Sequence, residues 1–453
     1  MNRTLVKNRR TMKNLIFLTV PGLRRQDLAA MPNLQSLFGP SQPPITLSHS
    51  FPAVTWPSQA TMLTGKTANQ HGAVGNGLFW RENQKIEMWT AWNEVIHQPQ
   101  LWDKLKTHGI STAAWFPMLS KGSGADFVCM PAPIHQPDGS EDLWCYTKPQ
   151  DFYGTLLEKF EHFPLKHFWG PLANIKSTQW IADSAASAAE TYKPQFFYIY
   201  LPHLDYAAQK FGPESAQASQ AVTELDAVIG TMADQMAAAY GEVQWLVASE
   251  YEITPVDHVV YPNRLLRSAG ILKTDDQDDG EHLDLSASSA WAMVDHQFSH
   301  VFVRDRDKET IQKIVELFSD VEGIERILTG SQRGSLDHPR SGDVILASSA
   351  NSWQAYYWWE DDAQAPAFAT QVDIHKKPGY DPVELFFDFE KMQVPLDADL
   401  IKGSHGYDWA ADQSQGILLS TIPMAENQTT GNQIADTDVF DCVMRFFTEE
   451  ATA

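Results

Sequence analysis

Cysteine is nearly missing from this chain, with three in 453 residues. Cys129, Cys145 and Cys442 show no C-x-x-C spacing, which excludes a disulfide framework and a cysteine zinc site and points to a reducing cytoplasm. Positive charge is also short. Lys plus Arg number 34 against 57 Asp plus Glu, a net charge of -23, so the average surface repels nucleic acid and anionic lipid. A small anionic substrate can still be held where a bound metal reverses the local field. No apolar run approaches the roughly 18 residues of a membrane span. The basic start, Met1 to Lys13, has the charge of a signal-peptide n-region, but the run after it, Leu15 to Val20, is short and meets Pro21-Gly22. It reads as a buried first strand, with Met12 as an alternative initiator and the residues before it a ragged extension.

Apolar material, by contrast, is plentiful. Hydrophobic residues make up 43% and aromatics 11%, with 15 Trp, 23 Phe and 13 Tyr, which excludes disorder and allows a large core. Short apolar runs read as buried strands at Leu15 to Val20, Phe196 to Leu201, Val243 to Ala248, Val301 to Val303 and Val344 to Ala347. Between them, Gln179 to Thr191, Ser215 to Tyr240 and Lys308 to Phe318 carry helical spacing. Alternation of this kind predicts an α/β chain, a mostly parallel sheet sandwiched between helices. Two regions break the rhythm. Leu78 to Trp180 is dense in Trp, Phe, Pro and Gly and reads as an aromatic lid or cap, and the acidic Asp275 to Asp284 reads as a solvated loop. The expected division is a core from 1–77, 181–264 and 389–453, a lid over 78–180, and a second insertion or subdomain over 265–388.

In such sheets, sites form beyond the carboxyl ends of the strands. The first strand is followed by Pro21-Gly22-Leu23-Arg24, and further on come Phe51-Pro-Ala-Val-Thr55-Trp-Pro-Ser-Gln-Ala-Thr-Met-Leu-Thr-Gly65 and His71-Gly-Ala-Val-Gly-Asn76. After the Phe196 strand comes Pro202-His-Leu-Asp205-Tyr-Ala-Ala-Gln209, after the Val243 strand Ser249-Glu250-Tyr251, and near the end Gly403-Ser-His405-Gly-Tyr-Asp408. In order and spacing these segments resemble the alkaline phosphatase superfamily, most closely its type I phosphodiesterase/nucleotide pyrophosphatase branch, over most of the chain. The resemblance implies an alkaline phosphatase-like α/β/α fold. It also implies that Thr55 is the nucleophile, at a helix start that favours an anion, and that Asn76 helps hold the phosphoryl oxygens.

Departures from that pattern fall on the metal ligands. Pro21 stands where the family has Asp, Gln209 where it has the His of Asp-x-x-x-His, and Glu250-Tyr251 where it has Asp-His, while Asp205 and His405 match. The implied ligands are Asp205, Glu250 and His405, with Gln209 and Tyr251 as oxygen donors, an oxygen-rich set suited to one or two ions of Mn²⁺, Mg²⁺, Ca²⁺ or Zn²⁺. Asp373 and His375 point the same way if their segment is extended, as two further ligands would, and His296 and His300 are either ligands or satisfied core histidines. Thr55 and Asp205 are equally ordinary residues for capping a helix or turn.

The resulting expectation is a metal-dependent phosphoric ester hydrolase, phosphodiesterase or nucleotide-pyrophosphatase-like, acting on a small phosphate ester or nucleotide-like molecule and not on nucleic acid or a membrane. Two other readings stay open on the same residues. One is an altered member that binds a ligand or partner without hydrolysis, and the other a phosphoryl transferase in a biosynthetic pathway. The sequence does not speak to oligomeric state.

Overall fold

The computed structural model describes residues 13–39, 42–136, 141–408, 416–424 and 432–449, so the basic start up to Met12 lies outside them. Leu15–Val20 is a strand with every residue buried. Its unbroken apolar sequence fits a strand covered on both faces. It sits in the middle of the main sheet, parallel to Phe196–Tyr200 on one side and Gln244–Ser249 on the other. Beyond Phe196–Tyr200 the parallel run continues through Thr112–Trp115 to Phe127–Pro131, and Cys145–Lys148 closes that edge antiparallel. On the other side Gly416–Ser420 is antiparallel to Gln244–Ser249 and to Ile45–Ser48, which pairs in parallel with Gln433–Ala435. Among the described residues this makes a nine-stranded sheet.

Helices pack on the sheet in two groups. Ile175–Tyr192 and Ala216–Tyr240 pack together, and Asp438–Thr448 contacts both Thr55–Thr64 and Leu101–Thr107. The fold is the expected α/β sandwich. Asn174 and Ser215 cap the two long helices, each side chain accepting a backbone N–H from the first turn.

Three expectations need correction. The stretch 78–180 is not a lid throughout, because it supplies Thr112–Trp115, Phe127–Pro131 and Cys145–Lys148 to the main sheet. Its aromatic density is partly core, with Trp102, Trp115 and Trp180 buried against the sheet. The runs at Val301 and Val344 belong to a separate sheet, in the order Ala290–Asp295, Phe298–Val303, Val344–Ser348 and Ile324–Thr329. Its pairs are all antiparallel. His296 and Gln297 alone link its first two strands, and so short a link forces a hairpin, since a parallel pair needs a crossover. This region has its own core around Trp291, Trp353, Tyr356, Tyr357, Trp358 and Trp359. The acidic Asp275 to Asp284 is a hairpin of Thr274–Gln277 and Gly280–Leu283. Asp275, Asp276 and Gln277 are exposed, while Glu281 is buried in an ion pair with Arg267.

Among the described residues no helix is long and apolar enough to cross a membrane. Cys129, Cys145 and Cys442 are all buried.

Central burial makes the first strand the test of the core. Leu18 is fully buried. Leu18→Ala is expected to lower the unfolding free energy by about 2–5 kcal/mol, read from the shift of the urea midpoint.

Candidate functional site

The candidate residues meet beyond the carboxyl ends of the central strands. Thr55 is the first residue of the helix Thr55–Thr64, whose ten residues are all buried and which ends at Gly65 in the left-handed conformation, φ 65°. The N-cap is Val54, whose side chain makes no capping bond. Thr55 is therefore not a cap. Its hydroxyl instead meets the Tyr251 phenol at 3.3 Å. One turn on, Gln59 faces the same way, donating from Nε2 to Glu250 Oε1 at 2.8 Å and accepting from the Met118 amide at 2.7 Å.

Asp205 and Gln209 lie one turn apart in the helix Leu204–Phe211. Asp205 makes no capping bond there; Gln209 Nε2 donates to its Oδ1 at 2.9 Å, and the Tyr380 hydroxyl donates to Gln209 Oε1 at 2.8 Å. Burial lifts the Asp205 carboxyl to about 7, with the hydrogen-bonding groups of Gln209 and Tyr251 pulling the other way. Burial lifts Glu250 to about 8 against the pull of Thr19 and Gln59, and the nearby Asp205 charge adds to the rise. Two carboxyls thus share a dry site at the edge of ionisation.

His405 is buried and donates from Nδ1 to the Ala53 carbonyl at 3.1 Å, which leaves the lone pair on Nε2. That nitrogen makes no hydrogen bond among the described residues and lies 4.0 Å from Asp205 Oδ1. The ring is stacked on Tyr251, centroids 3.6 Å apart and planes 3° apart, and its other face meets His296 at 3.7 Å. His296 in turn stacks on Tyr380 at 4.0 Å. The result is a column of four rings. Burial depresses the basicity of both histidines, His296 to about 3. His296 occupies the hairpin turn with φ 60°, a left-handed conformation rare for a residue with a side chain, and bonds Asp295 through Nδ1 at 2.7 Å.

Asn76 lies behind the Thr55 helix and not on the cavity wall. Its Oδ1 accepts from the Trp56 amide at 3.1 Å, while its backbone N–H and Nδ2 donate to Asp295 at 2.7 and 3.0 Å. Asn76 therefore braces the helix start against the hairpin, and Trp56 N–H, a donor that an anion could use, is already taken. His300 is a satisfied core residue, donating to the Val74 carbonyl at 3.0 Å and accepting from the Gly342 amide at 3.2 Å.

Asp373 and His375 reach the same cavity as Thr55, Asp205 and His405 but not as a ligand pair. Their segment turns instead of extending: Asp373 Oδ1 accepts the amides of His375 and Lys376 at 3.0 and 3.2 Å, and His375 Nδ1 lies 3.1 Å from the Met88 carbonyl.

These donors do not fit the expected metal centre. Glu250 Oε2 and His405 Nε2 are buried without hydrogen-bond partners, yet among the described residues no three His, Cys, Asp or Glu side chains come together as an ion requires. Gln209 and Gln59 point amide N–H groups at the two carboxyls, where ligation would need their oxygens free. Equilibrium dialysis against Mn²⁺, Zn²⁺, Mg²⁺ or Ca²⁺ is expected to leave no tightly held ion; one ion per chain, lost in Asp205→Ala, would overturn this.

Sequence reasoning missed Gln59, and it placed Asp295 and Tyr380 beside candidate histidines without giving either a role. Gln59, four residues after Thr55 on a helix, was findable from spacing, whereas Asp295 and Tyr380 arrive through long-range packing that no local pattern announces.

Known proteins share this architecture. Solved structures similar to it include phosphonoacetate hydrolase from Sinorhizobium meliloti in complex with phosphonoacetate, with TM-score 0.62 and 14% identity, covering 96% of each chain. Another is an inactive variant of murine ectonucleotide pyrophosphatase/phosphodiesterase 5 in complex with AMP, with TM-score 0.60 and 13% identity, covering 97% of this chain and 96% of that one. At such identities the likeness establishes the fold. A curated relative, an uncharacterized pyrophosphatase/phosphodiesterase of Schizosaccharomyces pombe, is 25% identical over 225 residues, which is 48% of this chain and 40% of that protein. The family model for type I phosphodiesterase/nucleotide pyrophosphatase matches residues 15–381, from the first strand to Asp381 on the cavity wall. With that match and the Thr55 helix where the fold puts its reactive edge, the chain belongs to the type I phosphodiesterase/nucleotide pyrophosphatase family of the alkaline phosphatase superfamily.

Proposed function

We propose that this chain is a phosphoric ester hydrolase of phosphodiesterase type in which Thr55 attacks phosphorus and protein groups, not divalent ions, handle its proton. One observation carries the reading: the Thr55 hydroxyl does not cap its helix and meets the Tyr251 phenol, which also acts on the Asp205 carboxyl. A phenol between a hydroxyl and a carboxyl poised near neutrality is a proton path.

In this scheme the Thr55 Oγ–P bond forms as the ester P–O bond breaks, and the Thr55 proton passes through Tyr251 to Asp205. The leaving alkoxide takes a proton from water entering the cavity. The hydroxide so formed attacks the phospho-threonine, and as the Thr55 Oγ–P bond breaks Asp205 returns its proton through Tyr251 to Thr55 Oγ, which restores both groups. His405 stacks flat on Tyr251 and fixes the phenol's plane, which makes it a positioning residue. The alternative, ligand binding without hydrolysis, is favoured by the Trp56 amide being occupied by Asn76, which leaves few donors for an oxyanion.

A chromogenic p-nitrophenyl phosphodiester separates the readings. Turnover is expected to survive EDTA within about twofold, to fall about 100-fold or more in Thr55→Ala, and to fall at least tenfold in Tyr251→Phe. Loss of all turnover in EDTA would restore a metal route, and no turnover in the wild type would leave the binding role.

The pH profile gives a second check. The base must be ionised to accept the proton, so kcat is expected to rise with pH through about 7, the value to which burial lifts Asp205. Asp205→Asn should abolish that limb, and a limb that persists in the variant would assign the base elsewhere.

A further inference from the structure

We infer that the organic part of the substrate is a long apolar chain, so that the site takes phosphoric esters of alkyl or isoprenoid alcohols in preference to nucleotides. The inference rests on the phosphoric-ester reading above. Thr55, Asp205, His296 and His405 open into a cavity of about 1010 Å³, at the upper end of the roughly 300–1,000 Å³ of ordinary small-molecule sites. A phosphoryl group fills little of it.

The composition of the wall says what fills the rest. Trp89, Phe116, Met118, Met130, Phe168 and Trp169 form much of it, and they come from four separate segments of the chain. Among the described residues that line it there is no Asn, Gln, Arg or Ser, and the hydroxyl-bearing side chains are Thr55, Thr90, Tyr200, Tyr206 and Tyr380, the last of which is bonded to Gln209. A nucleobase presents a fixed edge of donors and acceptors, and a selective site meets that edge with matching polar groups. The charged side chains of the wall have other partners or positions: Asp381 and Glu384 are paired with the buried Lys377, Asp373 is tied to its own turn, Glu87 is bonded to Lys85 and Trp80, Lys121 lies over the Trp92 ring, and Lys85 and Lys376 are exposed.

Flexible thioethers favour a chain over a rigid ring system. Met88, Met118 and Met130 approach from three different segments, and unbranched side chains of this kind adapt to a ligand of variable shape. The cavity ends at an aromatic rim, where Trp92 is 49% exposed and carries the Lys121 ammonium 4.4 Å from its ring.

The test uses the full chain as Thr55→Ala, so that binding is read without turnover. Calorimetric titration with n-alkyl phosphates from ethyl to decyl is expected to show affinity rising about fourfold per added methylene over much of the series, the factor for burying one such group. Octyl phosphate should bind more tightly than AMP. Adding Trp169→Ala, at a half-buried position, should weaken decyl phosphate about tenfold and leave ethyl phosphate unchanged; Met118→Asn, also half-buried, serves as an independent second variant. Affinity independent of chain length, or AMP binding more tightly than octyl phosphate, would overturn the inference. A chain-length dependence without wild-type turnover of the p-nitrophenyl diester would sink the hydrolase reading alone, and turnover with a flat series would sink this one alone.

Discussion

Two carboxyl groups buried next to each other, with no basic side chain among the described residues acting on either, are the constraint around which the site is organised. An ionised carboxylate taken out of water costs several kcal/mol even after relaxation, so the protein must either pair it, protonate it or surround it with donors. It does the last two. Gln209 and Gln59 aim amide groups at Asp205 and Glu250, and each carboxyl holds its proton to near-neutral pH or beyond. Replacing an imidazole by Gln209 is coherent in these terms. A neutral histidine offers a metal a lone pair, whereas an amide offers a carboxyl a hydrogen, so the same helical spacing serves a different electrostatic balance. Tyr251 follows the same logic, supplying a hydroxyl and an aromatic face where the family has a ligand nitrogen.

Rigidity comes from the second sheet. Its first hairpin drives Asp295 and His296 into the reactive edge, where Asp295 holds Asn76 at two points and Asn76 holds the amide of Trp56. The helix start, the hairpin turn and the His405 segment are thereby joined into one unit, and Gln297 N–H donating to the His405 carbonyl at 3.0 Å completes it. The left-handed backbone at His296 is the strained position in this unit, held there by ring contacts on both faces.

Much of the fold was legible because its central strands are uniformly apolar and its long helices strongly periodic. Leu15–Val20 and Lys308–Phe318 match their sequence-based limits residue for residue. Thr112–Trp115 was not legible, since a four-residue run of Thr, two Ala and Trp has too little apolar pattern to stand out among aromatic loops. Direction was less legible than existence. The apolar runs at Val301 and Val344 are strands, but the Val301 strand is antiparallel to Ala290–Asp295 because only two residues link them, and its antiparallel pairing with the Val344 strand is set by packing across a long connection and not by composition. At the site, motif spacing brought Thr55, Asp205 and His405 to one cavity, whereas the engagement of Asn76 and the turn at Asp373 depend on partners more than ten residues away or on backbone geometry that spacing does not encode.

The neutral floor and the apolar wall are two sides of one arrangement. The reacting end of the site gains little from the charge of a phosphate, because the carboxyls there make that charge costly wherever they ionise. The free energy that holds a substrate there must then come from elsewhere, and the aromatic and thioether surface is the only large source the cavity offers among its described residues. Binding energy from a remote apolar group can hold the ester against Thr55 even where the floor supplies few donors, because positioning lowers the barrier to attack without requiring strong ground-state contacts at phosphorus. On this view weak charge recognition at the reacting group is offset by stronger recognition of the chain that carries it.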